Sequence, residues 1–400
     1  METLAERFDE PAFYLRDPHA TYRRLRAEDP VHWYDEGQFW VITKYDDIKY
    51  ISTHPLLFSS KDIAIISGLV DRRHGVPKTP MQESPAVMFM DPPEHGPYRK
   101  VVSHRFTPKE VGALDDHVRT VIRELVQGLP DGKFDLVEQV AEPVPVFVFS
   151  KLLGIPASEW HQVVEWATII TNLGSGQGTQ DDMDLVMNVV GPYLWQLTMD
   201  RRADPTDDLL SLLTQAEFDG RPLNEGEIIG YATTLLAAGS ETTQSLIGGL
   251  GHVLTHFPEQ ADEFFADPSL SLAMVEETMR WWTPVMSMAR EATADVALRD
   301  KVIRKGDGVL LLYSAANRDE ERWGDDAEEF VLRRPDASGQ LGFGIGEHFC
   351  MGAHLARREA RILLEEFAAR GRRLDPVGEG ELRSSTLIHT YDRLPVELVR

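Results

Sequence analysis

The chain has 400 residues and carries 41 Lys and Arg against 65 Asp and Glu, a formal charge of −24. So acidic a surface excludes a nucleic-acid binder, which must neutralise phosphates, and a general adherent of anionic lipid. With 42% hydrophobic and 26% charged residues, the composition is that of a globular protein with apolar material for a core that can also enclose a ligand. The opening METLAERFDEP lacks the basic-then-apolar pattern of a secretory signal, and no segment approaches the ~20 apolar residues that span a bilayer. A cytoplasmic monomer that touches neither membrane nor nucleic acid is expected. The one cysteine, Cys350, excludes an internal disulfide and an all-cysteine metal cluster.

In chain order, residues 3–28 read as irregular helix, and Val31 to Ile42 as two strands around the turn Asp35-Glu36-Gly37. Residues 60–93 are loop-like, broken by Gly68, Gly75, Pro77, Pro80, Pro85, Pro92 and Pro93. Helical patterns resume near Pro97 and dominate to about residue 290, with a flexible interruption at Asn172–Gly178. The run from Glu225 to His256 reads as one helix, roughly 48 Å long at the α-helical rise. Residues 295–312 suggest a second hairpin turning at Lys305-Gly306-Asp307-Gly308, helix returns after Cys350, and Arg383 to Val399 reads as a short β-return. The sum is a mainly α chain with small β-sheets (α+β) in a single domain, 1–400.

The most informative segment is Phe343-Gly344-Ile345-Gly346-Glu347-His348-Phe349-Cys350-Met351-Gly352, followed by a helix whose Leu355, Ile362, Leu363 and Phe367 share one face. Cys350 therefore stands at a helix amino terminus, where unpaired N–H groups favour a thiolate. Gly344 and Gly346 permit a tight loop and close backbone approach to a flat ligand. Taken alone, the cysteine also reads as a small buried hydrophobe or as a nucleophile beside His348.

A second segment, Ala238-Gly239-Ser240-Glu241-Thr242-Thr243, puts four polar residues and a helix-weakening glycine inside an otherwise apolar helix. Taken alone it also reads as a solvated stripe or a kink. Glu277-Thr278-Met279-Arg280 places an acid and a base on one helix face.

The cysteine segment resembles the haem-binding signature of the cytochrome P450 family, with Met351 where leucine is commoner, and the resemblance extends over essentially the whole chain. It implies the P450 fold, a long central helix crossing the distal face of haem b, and Cys350 as axial thiolate of the iron, with Phe343, Gly344, His348 and Gly352 around it. It implies an oxygen-binding groove at Ala238 and Gly239, Thr242 as the hydroxyl that hydrogen-bonds dioxygen, and Glu241 as the carboxylate that relays protons. His95, Arg99, Arg290 and His348 match ligands of the haem propionates. Glu277 and Arg280 match a buried structural pair whose usual arginine partner is replaced by Glu329, leaving Arg333 or Arg334 to complete it.

By family position, the substrate meets Val87, Met88, Leu235, Leu236, Val285, Met286 and Leu387, each of which could equally be core. The implied activity is hydroxylation of a hydrophobic small molecule, of terpenoid, steroid or fatty-acyl type, with O₂. No flavin, NAD or iron–sulfur fingerprint is present, so electrons come from an external ferredoxin and ferredoxin reductase. Lys100, Arg105, Arg357, Arg358 and Arg361 are the expected docking patch. The alternatives are a haem-binding sensor or carrier, a family member using peroxide or non-oxygenating chemistry, and a non-haem cysteine hydrolase.

Overall fold

The computed structural model describes residues 7–76, 86–174, 178–371 and 373–399. Its central element is the helix Glu225–His256, 32 residues long. A capping box starts it: Asn224 Oδ1 accepts from the Glu227 N–H (3.0 Å) and Glu227 Oε2 accepts from the Asn224 N–H (2.8 Å). Most of its length is buried, because helices Pro143–Leu153, Trp160–Gly174 and Ser271–Trp282 pack around it. Small residues permit the approach. A Cβ on Gly249 would stand 2.6 Å from the Trp282 ring, closer than packed carbons come. The cysteine helix, Ala353–Arg370, packs between Asp115–Gly128 and Ser271–Trp282 and joins the same core cluster.

A five-stranded sheet flanks this helical body. Its strands are β1 (Val31–Tyr34), β2 (Phe39–Ile42), β3 (Phe58–Ser59), β4 (Ser287–Ala292) and β5 (Gly308–Leu312), in the spatial order β1-β2-β5-β4-β3. All pairings are antiparallel except β5 with β2. Register sets Arg290 opposite Val309, in an interior strand. Two further apolar clusters cover the sheet, one built on Phe8, Tyr22 and Leu310, the other on Ile48, Phe58 and Leu311.

Two expectations are corrected. The turn at 305–308 forms, with the Asp307 N–H donating to the Arg304 carbonyl (3.0 Å), but it does not close a hairpin. The hairpin pairs Val296–Leu298 with Lys301–Ile303 around Arg299 (φ 52°), and the later turn delivers the chain to β5. The reason is partner choice: Gly308–Leu312 is buried on both faces between β2 and β4 and has no use for a two-stranded edge. The loop-like stretch also holds a helix, Ile66–His74, ended by Gly75 in the left-handed conformation (φ 64°). Gly68 and the prolines around it masked the pattern; Pro77, Pro80 and Pro85 lie outside the described residues. The interruption at Asn172–Gly178 is described only in part, as helix to Gly174 and then Gly178. The carboxy-terminal return is strands Tyr391–Arg393 and Pro395–Val399, the latter paired to Arg373–Pro376 and Lys133–Asp135.

One buried ionic network ties the helical body to the chain between β5 and the cysteine. Glu277 accepts from Arg280 (2.7 and 2.8 Å), from Arg334 Nε (3.0 Å) and from the Val331 N–H (2.8 Å). Arg280 also donates to the carbonyls of Asn317, Ala327 and Glu329. Arg334 therefore supplies the partner that position 329 lacks, while Arg333 turns outward to Glu263. Replacing Glu277 by Gln strands two buried guanidinium groups. It is expected to cost about 3–5 kcal/mol, read as a lower urea midpoint.

The cysteine helix carries an opposite case. Glu359 is buried with Oε2 unpartnered, and burial pushes its carboxyl well above the usual range. The folded chain thus binds a proton that the unfolded chain releases near pH 4.5, so this group lowers stability as pH rises above that value. Glu359→Gln is expected to raise Tm at pH 7–8 and to leave it unchanged near pH 4, measured by thermal unfolding across pH.

Candidate functional site

The loop before the cysteine helix is shaped by two glycines with left-handed backbone, Gly344 (φ 68°) and Gly346 (φ 79°). At Gly346 a Cβ would strike the Ser52 carbonyl. The loop closes when the Cys350 N–H donates to the Phe343 carbonyl (2.8 Å), and Gly352 caps the helix. Cys350 is half-buried. Burial pushes its thiol up, while the N–H groups of Gly352 and Ala353 and the charges of Arg99 and Arg357 oppose that shift. A Cβ on Gly352 would stand 4.0 Å from the sulfur and meet nothing nearer. Phe343 is buried beneath the Arg357 guanidinium, 4.3 Å from its ring centre.

Four basic side chains gather beside this loop. His95 and His348 face one another with ring centres 4.3 Å apart. Each has a buried Nε2 with no hydrogen-bond partner. Burial, then Arg290, His95 and Arg99, push the His348 imidazole down to about 3; burial and Arg99 lower His95. Both rings are therefore neutral at pH 7, and each can offer one N–H. Arg290 is 3% exposed and has no carboxylate partner within ion-pair distance among the described residues. Its Nη1 donates only to the adjacent Ala289 carbonyl (2.7 Å), and burial lowers its pKa. Arg99 Nη2 donates to the Phe349 carbonyl (2.6 Å) and is likewise lowered by burial. A buried cation without a counter-ion is costly, so this cradle calls for an anionic group. Asp91 does not serve, being engaged by Ser59 Oγ and the Ser60 N–H (2.8 Å). One soft sulfur, two imidazoles and two guanidinium groups are a donor set that fits a haem with its two carboxylates.

The central helix contributes an accessible stripe. Ala238 is exposed and Thr234 and Thr242 are half-buried, at i, i+4 and i+8, in the middle of an otherwise buried helix. The Thr242 hydroxyl donates to the Ala238 carbonyl (2.6 Å). Gly239 does not share this stripe. A Cβ there would lie 2.7 Å from the Phe149 ring, so its smallness serves the packing of helix Pro143–Leu153. Glu241 is buried and paired with Arg383 (2.5 Å). Sequence reading missed Thr234, which helical spacing back from Thr242 could have found. It also missed Arg383, 142 positions from its partner, for which no local signal exists.

Of the apolar candidates, Val87, Met88, Val285 and Leu387 are half-buried. Leu235 and Leu236 belong to the main core, and Met286 packs in the cluster with Phe8 and Tyr22. The expected docking patch is largely neutralised. Arg105 pairs with Asp207, Arg357 with Glu276, Arg358 with Asp115 and Arg361 with Glu365, which leaves Lys100 exposed and without an ion pair among the described residues. Neighbouring acids on adjacent helices absorb charges that look free in a linear sequence.

Residues 269–368 match the family model described as Cytochrome P450. The chain is 37% identical to a vitamin D(3) 25-hydroxylase of Pseudonocardia autotrophica over 394 residues, covering 96% of this chain and 94% of that protein. It is 36% identical to a methyl-branched lipid omega-hydroxylase of Mycobacterium tuberculosis, strain H37Rv, covering 94% and 90%. A mutant of P450 EryK solved with erythromycin B superposes with a TM-score of 0.84 at 32% identity, covering 98% of each chain. The chain belongs to the cytochrome P450 family.

Proposed function

We propose that this chain is a monooxygenase that hydroxylates an extended hydrophobic molecule of terpenoid, steroid or fatty-acyl type, acting as one domain across residues 1–400. Cys350 would hold haem b through its thiolate, and the bound group would supply the activation of dioxygen for insertion into a C–H bond. The observation that carries the assignment of its seat is Arg290: a 3% exposed guanidinium with no carboxylate within ion-pair distance among the described residues, acting on His348, whose ring faces that of His95.

In this reading Cys350 holds the metal. Arg99, Arg290, His95 and His348 take the two propionates and release the cost of their own burial by doing so. Backbone N–H groups of Gly352 and Ala353 at the sulfur draw off electron density and keep the thiolate anchored. On the central helix exposed Ala238 leaves room, and the Thr242 hydroxyl can turn from the Ala238 carbonyl to donate into that room. Glu241, one residue earlier, is the nearest acid on the helix and moves protons to that hydroxyl.

Substrate shape is read by Val87, Met88, Val285 and Leu387, with Thr234 and Ala238 on the helix. Two of these segments are joined: the Val285 backbone bridges to Ile388, and the Met286 N–H donates to the Leu387 carbonyl (2.9 Å). An apolar wall with one hydroxyl suits an oily molecule held by shape. The vitamin D(3) and methyl-branched lipid hydroxylases among its relatives support that class. Electrons come from a ferredoxin and its reductase, and the donor meets the face where Phe349 (40% exposed) and Lys100 flank the cysteine loop.

Purified protein is expected to be red, with a strongly red-shifted Soret band in its reduced carbon monoxide adduct. Cys350→Ser should lose that band and hydroxylation together; a colourless wild type that takes up no haem overturns the reading. Thr242→Ala should still give the substrate-induced spin-state change but divert reducing equivalents to hydrogen peroxide. Hydroxylation should fall by up to about 10²-fold, checked as product and peroxide per NADH.

A further inference from the structure

A run of aromatic rings starts one turn past Thr242 on the central helix. The Trp282 Nε1–H donates to the Ser245 hydroxyl (3.3 Å) and to the His389 carbonyl (2.8 Å). The Trp282 indole, 3% exposed, lies flat on the His389 ring, with 3.8 Å between centres and 14° between planes. It is also near-parallel to the Tyr391 ring, at 5.3 Å and 21°. Tyr391 opens the strand Tyr391–Arg393, which pairs with Glu381–Leu382 in the carboxy-terminal hairpin. Its phenol meets His252 Nδ1 at 2.7 Å. His252 stacks in turn on His256 (4.1 Å, 10°), which is exposed at the end of the central helix. The rings thus run from buried Trp282 to an imidazole in solvent.

Two features single out Tyr391. Its proton has one place to go: no other hydrogen bond to the phenol is seen among the described residues, and a buried O–H without an acceptor is costly. The phenol therefore donates to Nδ1, and neutral His252 carries its own proton on Nε2. Charge also steers toward this pair. The Arg318 guanidinium lies 4.4 Å over the Trp281 ring and disfavours positive charge there, whereas among the described residues no Lys or Arg lies over Trp282. At rest the pair is silent, because burial pushes the phenol up to about 12 and the His252 imidazole down to about 3. Loss of an electron turns a phenol into a strong acid, and an imidazole at hydrogen-bond distance then takes its proton.

We propose that Tyr391, with His252 as proton acceptor and Trp282 as the ring that leads to it, is a redox-active site that drains oxidising power from the haem pocket when hydrogen peroxide reacts there without substrate. The inference rests on the reading of Cys350 as the haem ligand. Each passage takes one electron from Tyr391 and leaves a neutral tyrosyl radical beside a His252 imidazolium. A small reductant such as ascorbate, arriving at the exposed His256 end, supplies one electron, and the proton returns from His252 to restore the phenol. Two passages deliver two electrons, and with two protons from solvent one hydrogen peroxide becomes two waters. Two ascorbates lose two electrons and release two protons, which balances the solvent.

The test uses ferric, substrate-free holoenzyme, frozen rapidly after mixing with hydrogen peroxide and read by electron paramagnetic resonance. The wild type is expected to show a tyrosyl radical, identified by the narrowing of its signal in protein grown on ring-deuterated tyrosine. Tyr391→Phe should abolish that signal. His252→Gln keeps a hydrogen-bond acceptor that cannot hold the proton, and should lower the signal several-fold. Trp282→Phe, with a ring harder to oxidise, should delay its appearance. Bleaching of the haem by peroxide should run several-fold faster in Tyr391→Phe, and ascorbate should slow bleaching in the wild type but not in that variant. Each variant should keep the red-shifted carbon monoxide band, which reports an intact haem seat. A wild type with that band and no tyrosyl radical overturns the proposal. So does a tyrosyl radical that survives Tyr391→Phe, an unchanged yield in His252→Gln, or equal bleaching with and without the phenol. A wild type that lacks the carbon monoxide band would instead sink the haem reading itself.

Discussion

The structure is organised around uncompensated positive charge held out of water. Arg290 sits in an interior strand of the sheet, and Arg99 leaves the helix His95–Ser103 toward the cysteine loop. Neither has a carboxylate within ion-pair distance among the described residues, and Glu347, itself raised by burial, acts on both only from farther off. A protein tolerates such an arrangement when an anionic group returns the energy, and the site is therefore built as half of a complex. The same charges bear on the sulfur: Arg99 and Arg357 offset the burial that would keep Cys350 protonated. Cofactor retention and thiolate character thus draw on one set of guanidinium groups.

That charge balance needs a rigid frame, and the frame uses buried ions of its own. Glu277 gathers Arg280, Arg334 and the Val331 N–H, and Arg280 spends its remaining donors on three carbonyls of the segment leading to the cysteine. Arg26, Arg318 and Glu328 form a neighbouring set that ties the helix His19–Glu28 to the same segment. The two kinds of buried arginine differ in their partners. Those of the frame are paired with acids, whereas Arg99 and Arg290 of the cradle bond to backbone carbonyls.

The central helix has to be core and chemistry at once. Gly249 and Gly239 let Trp282 and Phe149 close against it, while Thr234, Ala238 and Thr242 stay accessible along one stripe. Its polar residues then point in different directions with different partners. Thr242 bonds to its own helix, Ser240 to the Leu236 carbonyl, and Glu241 crosses to the carboxy-terminal hairpin. Adjacent residues on a helix are separated by about 100°, so an acid–alcohol pair in sequence does not face one target in space.

Sequence alone determined whatever depends on local chemistry. The long helix is legible from its apolar run, the first hairpin from Asp35-Glu36-Gly37, and the cysteine loop from glycines that take positive φ without steric cost. Tertiary structure alone decided the partners. Strand Gly308–Leu312 joined a sheet rather than a hairpin, Arg334 rather than Arg333 reached Glu277, Met286 went to the core, and four of the five basic residues near the cysteine met acids from elsewhere. Arg383 met Glu241 across 142 positions. Local backbone preference is written in neighbouring residues, whereas the pairing of a charge is settled by whichever opposite charge the packed chain brings within a few ångströms.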